Sequence, residues 1–292
     1  MKKAVIRRTF PLSLFASAIS LSAVCLLAPS TASALDFSIR PRINSGAMYY
    51  DFEYTEPAIT IAGNDTLPFV GGGVTAFVDK FYVDVYAQGA FSGSDDDTFT
   101  SEAPGLAAFT GQTDWDRAEY ALSFGYSLTD SFVVFAGYRR SDTEFDTEFM
   151  LPADTRSFSL ELDNEQDGPF VGANYGWRIE NSEFLDGTLA LNLSAAYLDA
   201  EITGTFSSQD LPAQVLPEPT SLTGDTVGVT AGVTWNSKLI EPTGEGLFAN
   251  GLNYTIGIDG YSYDFEDDEE MGSELSETVV RGSVGLSAPF NL

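Results

Sequence analysis

The sequence has no histidine, and its one cysteine, Cys25, lies close to the N-terminus. Histidine is the usual general base of hydrolytic enzymes, and a cysteine thiolate is one of their common nucleophiles. Cys25 lies within the predicted signal peptide described below, so neither group is expected in the mature chain. Without them the usual nucleophile and base pairs cannot be assembled. The composition therefore predicts a protein that is not an enzyme, and a single cysteine leaves no internal disulfide.

Basic residues are also scarce, since 14 Lys and Arg stand against 43 Asp and Glu, a formal net charge of −29. Proteins that bind nucleic acid need the opposite sign of charge to neutralise phosphates. The charge balance therefore excludes nucleic acid as a partner.

Long apolar runs are absent after residue 34. Before it, four cations among residues 1–8 precede an apolar run over residues 10–28 and the small residues Ala32, Ser33 and Ala34. This arrangement predicts a secretory signal peptide over residues 1–34 that is cleaved before Leu35. The alternative is a transmembrane anchor helix, which Pro29 and the small residues after it disfavour. No later run is long enough for a membrane helix, so residues 35–292 are expected to form one domain without such helices.

The clearest pattern is the alternation over residues 278–290, close to the C-terminus. Val280, Val284 and Leu286 fall on one face, whereas Arg281 and Ser283 fall on the other. A period of two is typical of a β-strand with one apolar and one polar face. Similar segments begin near residues 37, 66, 81, 118, 132, 170, 188, 226 and 248, which makes ten predicted strands.

The connections between these segments alternate between short and long, with the short ones after strands two, four, six and eight. The segment near residues 142–167 alternates as well and is interpreted as a hairpin extension beyond the membrane. The pattern predicts an all-β, transmembrane, antiparallel up-and-down β-barrel of about ten strands, with long acidic extracellular loops and with eight or twelve strands as alternatives.

A soluble β-sandwich would show similar alternation and is the main rival. Aromatic residues at the ends of the predicted strands favour the barrel, because such residues form girdles at membrane surfaces. They are Phe81, Trp177, Trp235, Phe248 and Phe290.

On these features the chain resembles the bacterial outer-membrane β-barrel proteins as a class, over everything after Ala34. It departs from them at its end, where Leu292 takes the place of the usual terminal aromatic residue. The resemblance implies a location in the bacterial outer membrane, with membrane lipid, lipopolysaccharide and the barrel assembly machinery as partners. The omptin-type proteases of this class need an Asp–His pair that this chain cannot form, so a hydrolase based on carboxylates alone is a remote alternative.

Most of the few cations fall on the polar face of the predicted strands, together with several carboxylates. The residues expected to line the lumen are Arg40, Arg42, Asp84, Arg117, Glu119, Arg139, Arg178, Asp259 and Arg281. Because unpaired buried charge is costly, the first interpretation is a network of ion pairs inside a narrow or closed barrel with a structural or surface-interaction role. The alternative is a small, solute-selective channel whose arginines favour anions. Ten strands enclose too little space for a wide porin.

Two acidic runs, residues 95–97 and 266–270, are expected to be solvated surface. The alternative is that they bind Ca²⁺ or Mg²⁺, since hard oxygen ligands are available. The runs lack the spacing of a calcium-binding loop, so no metal site and no cofactor are predicted.

Overall fold

The computed structural model describes residues 37–56, 59–91, 94–99, 109–150, 157–180, 186–208, 220–244, 249–267 and 274–291. The predicted signal peptide therefore lies outside the described residues. The same holds for Phe248 of the predicted aromatic girdle and for residues 268–270 of the second acidic run.

The described chain is almost entirely β-strand. In chain order the strands are β1 (Phe37–Glu56), β2 (Ile59–Val78), β3 (Phe81–Ala90), β4 (Ser94–Phe99), β5 (Phe109–Ser127), β6 (Phe132–Met150), β7 (Ser157–Ile179), β8 (Gly187–Ser208), β9 (Thr220–Ile240), β10 (Leu252–Asp267), β11 (Glu274–Ser287) and β12 (Phe290–Asn291). In this part of the chain no helix is long and apolar enough to cross a membrane.

The strands form one antiparallel sheet that closes on itself. Apart from the short strands β4 and β12, each strand pairs with the next along the chain, and β11 returns to pair with β1 over residues 42–55 of β1. The short strands β4 and β12 only continue β3 and β11, since they pair with β5 and β1 respectively. The barrel therefore has ten strands around its circumference, as the sequence predicts, and the closure between β1 and β11 excludes the sandwich.

The strands are longer than the sequence predicts. β2 begins at Ile59 instead of near residue 66, and β5 begins at Phe109 instead of near residue 118. The hairpin extension expected near residues 142–167 is present as the outer halves of β6 and β7. The acidic run 95–97, which the sequence pattern places in a loop, lies on β4, and residues 266–267 lie at the end of β10.

The two ends of the barrel are named here by their connections. At the turn end, residues 79–80, 128–131, 180–186 and 241–251 join successive strands. The opposite end, where β1 is followed by β2, β6 by β7 and β8 by β9, is called the loop end. The first strand starts at the turn end, since Phe37 pairs with Val78.

In the half of the barrel near the turn end, the outer surface is apolar. Large apolar side chains are exposed there on nearly every strand, and they are Ile43, Val70, Phe81, Val83, Leu122, Phe124, Val171, Tyr175, Trp177, Leu193, Val229, Val233, Ile256, Ile258, Val280, Val284 and Leu286. A continuous exposed apolar surface of this kind is what a lipid bilayer covers. On β8 it extends from Leu189 to Tyr197, about the nine to eleven residues that a tilted membrane strand needs.

In the half near the loop end, the apolar face is turned inward. The buried side chains there include Met48, Tyr50, Phe52, Trp115, Phe145, Leu160, Leu162, Leu198, Ile202, Leu222, Phe265 and Leu275. The outward positions are exposed and acidic at Glu53, Glu144, Asp146, Glu148, Glu161, Glu165, Asp199, Glu201 and Asp264. This half is built like a water-soluble barrel with its own apolar core.

On β1 the apolar side chains change from the outer to the inner face near Tyr50, although the strand itself does not switch faces. The backbone alternation continues unchanged, because Tyr50 and Phe52 point inward like Arg42 and Met48. The character of the outer face changes instead, from apolar to acidic.

Exposed tyrosines lie at the boundary between the two halves. Tyr138 donates a hydrogen bond to Asp167, and Tyr197 donates one to Asp225. Each ring is therefore on the apolar side of the boundary, while its hydroxyl reaches a carboxylate on the acidic side. This is the arrangement expected of aromatic residues at a membrane surface.

Candidate functional site in the barrel interior

Glu119 on β5 is the centre of a buried polar network. Its carboxylate accepts four hydrogen bonds, from Arg117 Nε at 2.9 Å, Tyr261 Oη at 2.6 Å, Gln88 Nε2 at 3.0 Å and Arg281 Nη1 at 2.9 Å. The donors come from β5, β10, β3 and β11, so the network crosses the interior. Because both carboxylate oxygens are fully used, the buried charge is compensated.

Arg117 joins the same network to the loop end. Its guanidinium lies 2.8 Å from Glu277 Oε1 on β11, and Gln166 donates to Glu277 Oε2 at 3.1 Å. Both charged side chains are only 1% exposed. Arg117 also lies over the ring of Tyr50 at 5.1 Å, which connects the charges to the aromatic residues beyond them.

Arg139 and Arg281 complete the network from β6 and β11. Arg281 donates from Nε and Nη2 to Asp259 Oδ2, its direct neighbour on β10, at 2.9 and 2.5 Å. Arg139 donates to Tyr263, and its Nη2 lies 3.9 Å from Glu119 Oε2. Glu119 is therefore shared by three arginines.

A second ion pair lies closer to the turn end, between Arg42 on β1 and Asp84 on β3. It is bidentate, with distances of 2.5 and 2.8 Å, and Thr75 bonds both partners. Arg42 reaches Asp84 across β2 because Gly73 has no side chain, and a Cβ there would lie 3.1 Å from the guanidinium carbon. A glycine on the inner face thus lets two strands interact across a third.

Arg40, one step nearer the turn end, is arranged differently. It lies over the ring of Phe77 at 5.2 Å, and its Nε is buried without a hydrogen-bond partner. Arg178 is also near the turn end, but 77% of its side chain is exposed and it pairs with Glu180 at 2.7 Å. Of the nine residues expected to line the lumen, Arg178 alone lies outside the buried interior.

Toward the loop end, the interior is filled by aromatic rings from β1, β5 and β6. Trp115 lies edge-on to Phe145, Phe52 and Tyr50, with ring centres 4.5, 5.0 and 5.3 Å away. Phe52 also stacks on Phe145 at 4.7 Å. A small cavity of about 10 Å³ lies beside these rings, about the space that one water molecule needs. We call Tyr50, Phe52, Trp115 and Phe145 the aromatic layer.

On the other side of the Glu119 network is a cavity of about 590 Å³. Its walls include Arg40, Arg42 and Asp84, and Arg139 and Arg281 lie at its inner boundary. Exposure falls along this path, from 30% of the Arg42 side chain to 1% of Arg117. Solvent therefore reaches the cavity from the turn end, and the network lies at its inner limit.

Several residues of the network are not among those expected from the sequence. Tyr261, Tyr263 and Glu277 were missed because only the alternation that shows an apolar outer face was followed, and all three lie beyond it on β10 and β11. The alternation continues through all three positions. Extending the period of two past the apolar band would have found them.

The acidic outer face near the loop end has like charges directly opposite one another. Asp146 on β6 pairs with Asp114 on β5 and with Glu161 on β7. Partial desolvation by its neighbours, and then the charges of Glu161 and Asp114, raise the pKa of Asp146 above its ordinary value. Among the described residues, no three carboxylate, histidine or cysteine side chains are grouped so that they could hold a metal ion.

No protein-family model matches this chain, and no curated protein matches its sequence. Solved structures do match its fold. The outer-membrane protease OmpT of Escherichia coli has a TM-score of 0.59 and 10% identity, over 88% of this chain and 99% of that one. The translocator domain of the autotransporter NalP of Neisseria meningitidis covers 96% of both chains at 12% identity, with a TM-score of 0.43. OprG of Pseudomonas aeruginosa has a TM-score of 0.31 and 13% identity, over 89% of this chain and 97% of that one. The chain has the bacterial outer-membrane β-barrel fold.

Proposed function

We propose that this chain is an outer-membrane β-barrel with a closed lumen and a structural or surface-interaction role, exported by a signal peptide over residues 1–34. The observation that carries the proposal is the pair of successive obstructions inside the barrel. The Glu119 network satisfies its charges across the interior, and the aromatic layer packs directly beyond it. An ion would have to break buried ion pairs and then enter an apolar core, and both steps cost several kcal/mol.

Conductance in planar bilayers tests the closed lumen. The refolded protein should insert and give no reproducible unit conductance. Its insertion is checked independently by heat modifiability, since a folded barrel migrates differently on a gel before and after boiling. Regular single-channel openings from an inserted wild-type barrel would refute the closed lumen.

The second candidate is a small, anion-leaning channel, and the cavity of about 590 Å³ favours it. Arg40, Arg42, Arg139 and Arg281 contribute to the cavity walls. If this candidate is correct, wild-type openings select anions and Arg281→Ser abolishes or reverses the selectivity. Arg178→Gln is the matched control, because Arg178 is exposed and paired with Glu180.

We further propose that the barrel is not an enzyme, although OmpT is named as a protease. The sequence has no histidine. The interior carboxylates Asp84, Glu119, Asp259 and Glu277 are each bound to an arginine, which leaves none of these four free as a base or nucleophile. Cleavage of a peptide library by the refolded protein, lost on Asp84→Asn or Glu119→Gln, would overturn this.

A further inference from the structure

Arg40 differs from every other arginine whose side chain faces the described interior. Arg42, Arg117, Arg139 and Arg281 each lie within 4.0 Å of a carboxylate. Within the described ranges Arg40 has no ion pair, and its buried Nε has no hydrogen-bond partner. A largely buried guanidinium without an anion is unfavourable, so a compensating anion would be bound with little competition.

The position of Arg40 makes this cation available to a ligand. It lies on the wall of the cavity, and Phe77 supports its guanidinium from one side at 5.2 Å. The planar guanidinium can bind a carboxylate with two parallel hydrogen bonds. Arg42 beside it is already occupied by Asp84, so Arg40 is the free anchor.

The far wall of the cavity is neutral and rich in hydrogen-bonding groups. It is contributed by β8 and β9, through Asn192, Ser194, Thr230, Thr234 and Asn236. Hydroxyl and amide groups suit a ligand that carries hydroxyl groups, and they supply no opposite charge to pair with a second ion. The cavity volume also lies within the range of about 300–1,000 Å³ that is typical of small-molecule sites.

We propose that this cavity binds a small hydroxylated carboxylate, of the size of a sugar acid, from the turn end of the barrel. Arg40 holds the carboxylate, and the hydroxyl and amide groups of β8 and β9 bind the rest of the molecule. The site lies on the turn side of the Glu119 network. Binding therefore does not depend on whether the lumen is closed.

Isothermal titration of the full refolded chain in detergent micelles tests this with gluconate as the probe. We expect saturable binding to the wild type, weaker at high salt, and weakened about tenfold or more by Arg40→Gln, since a charge-assisted hydrogen bond is lost. Arg178→Gln, an exposed arginine at the same end, should bind gluconate like the wild type.

Two further probes separate the parts of the proposal without any variant. Sorbitol has the hydroxyl groups without the charge, and acetate has the charge without the hydroxyl groups. Both should bind the wild type at least about tenfold more weakly than gluconate. No saturable gluconate binding, equal binding of sorbitol, or unchanged binding in a folded Arg40→Gln protein would each overturn the proposal.

Discussion

Removal of the Glu119 carboxylate should be among the most destabilising single changes in the barrel. Glu119→Ala deletes four hydrogen bonds and leaves Arg139 without its nearby carboxylate, while Arg281 keeps Asp259 and Arg117 keeps Glu277. Breaking a buried ion pair by removing one partner costs about 3–5 kcal/mol. We therefore expect a loss of that size in the free energy of unfolding.

The assay is reversible urea unfolding of the refolded barrel in lipid vesicles, followed by tryptophan fluorescence. Glu165→Ala is the matched control, because Glu165 binds Arg140 at 2.8 Å but both side chains are about half exposed. An exposed pair contributes only about 0–1 kcal/mol. Glu119→Gln keeps the side-chain volume and removes the charge. If the charge is the main contribution, this variant should lose nearly as much free energy of unfolding as Glu119→Ala.

A double variant tests the energetic coupling between Glu119 and Arg139 directly. Arg139→Gln removes the cation that Glu119→Gln leaves uncompensated, so the double variant should be more stable than the sum of the single losses predicts. A coupling of about 0.5–3 kcal/mol is typical of side chains in one network. The reasoning is refuted if Glu119→Ala costs less than about 1 kcal/mol, or if the two changes are simply additive.

The other predictions concern the half of the barrel near the loop end. Trp115→Ala should lower the free energy of unfolding by about 3–5 kcal/mol, because it empties the centre of the aromatic layer, whereas exposed Trp177→Ala should cost less in the same urea assay. Asp146→Asn should stabilise the protein at neutral pH by about a few tenths of a kcal/mol, because Asp114 and Glu161 lie directly opposite. The folded state raises the pKa of Asp146, so its destabilising effect appears as the pH rises above its unfolded value of 3.8. The gain from Asp146→Asn should therefore disappear below pH 3.8, and a gain that grows toward low pH would contradict the assigned cause.

The fold was predictable because a strand in a membrane barrel shows its lipid face in its sequence. The apolar positions Val280, Val284 and Leu286 predict β11, and the same alternation locates all ten strands. The full strand length was not predictable by the same criterion. Beyond Tyr50 the apolar residues face inward and the acidic residues face water, which resembles a loop when only lipid-facing residues are sought.

Alternation also predicts which charged residues face inward, but not which of them meet. Arg42 reaches Asp84 over Gly73, and Arg117 reaches Glu277 across the barrel. Such pairs depend on the stagger of the strands, which the pattern along one strand does not contain. Arg178 has the inward parity, yet it lies so close to the end of β7 that its side chain is mostly in solvent.

The binding of divalent cations and lipopolysaccharide to the acidic outer face stays a prediction. The run 95–97 lies on β4, and the exposed carboxylates of the outer face near the loop end lie on regular strands, so a divalent cation bound there would bridge neighbouring strands. The cations could also be shared with lipopolysaccharide phosphates. An increase in the unfolding temperature with millimolar Mg²⁺, but not with Na⁺ at equal ionic strength, would support such binding.

Single-channel recording of the wild type beside one opened variant tests the central claim most directly. The variant carries Glu119→Ala and Trp115→Ala, which remove the centre of the charge network and the centre of the aromatic layer. We predict that the inserted wild-type barrel gives no unit conductance, whereas the folded double variant conducts. Reproducible openings of the wild type, equal to those of the variant, would contradict a lumen closed by these side chains.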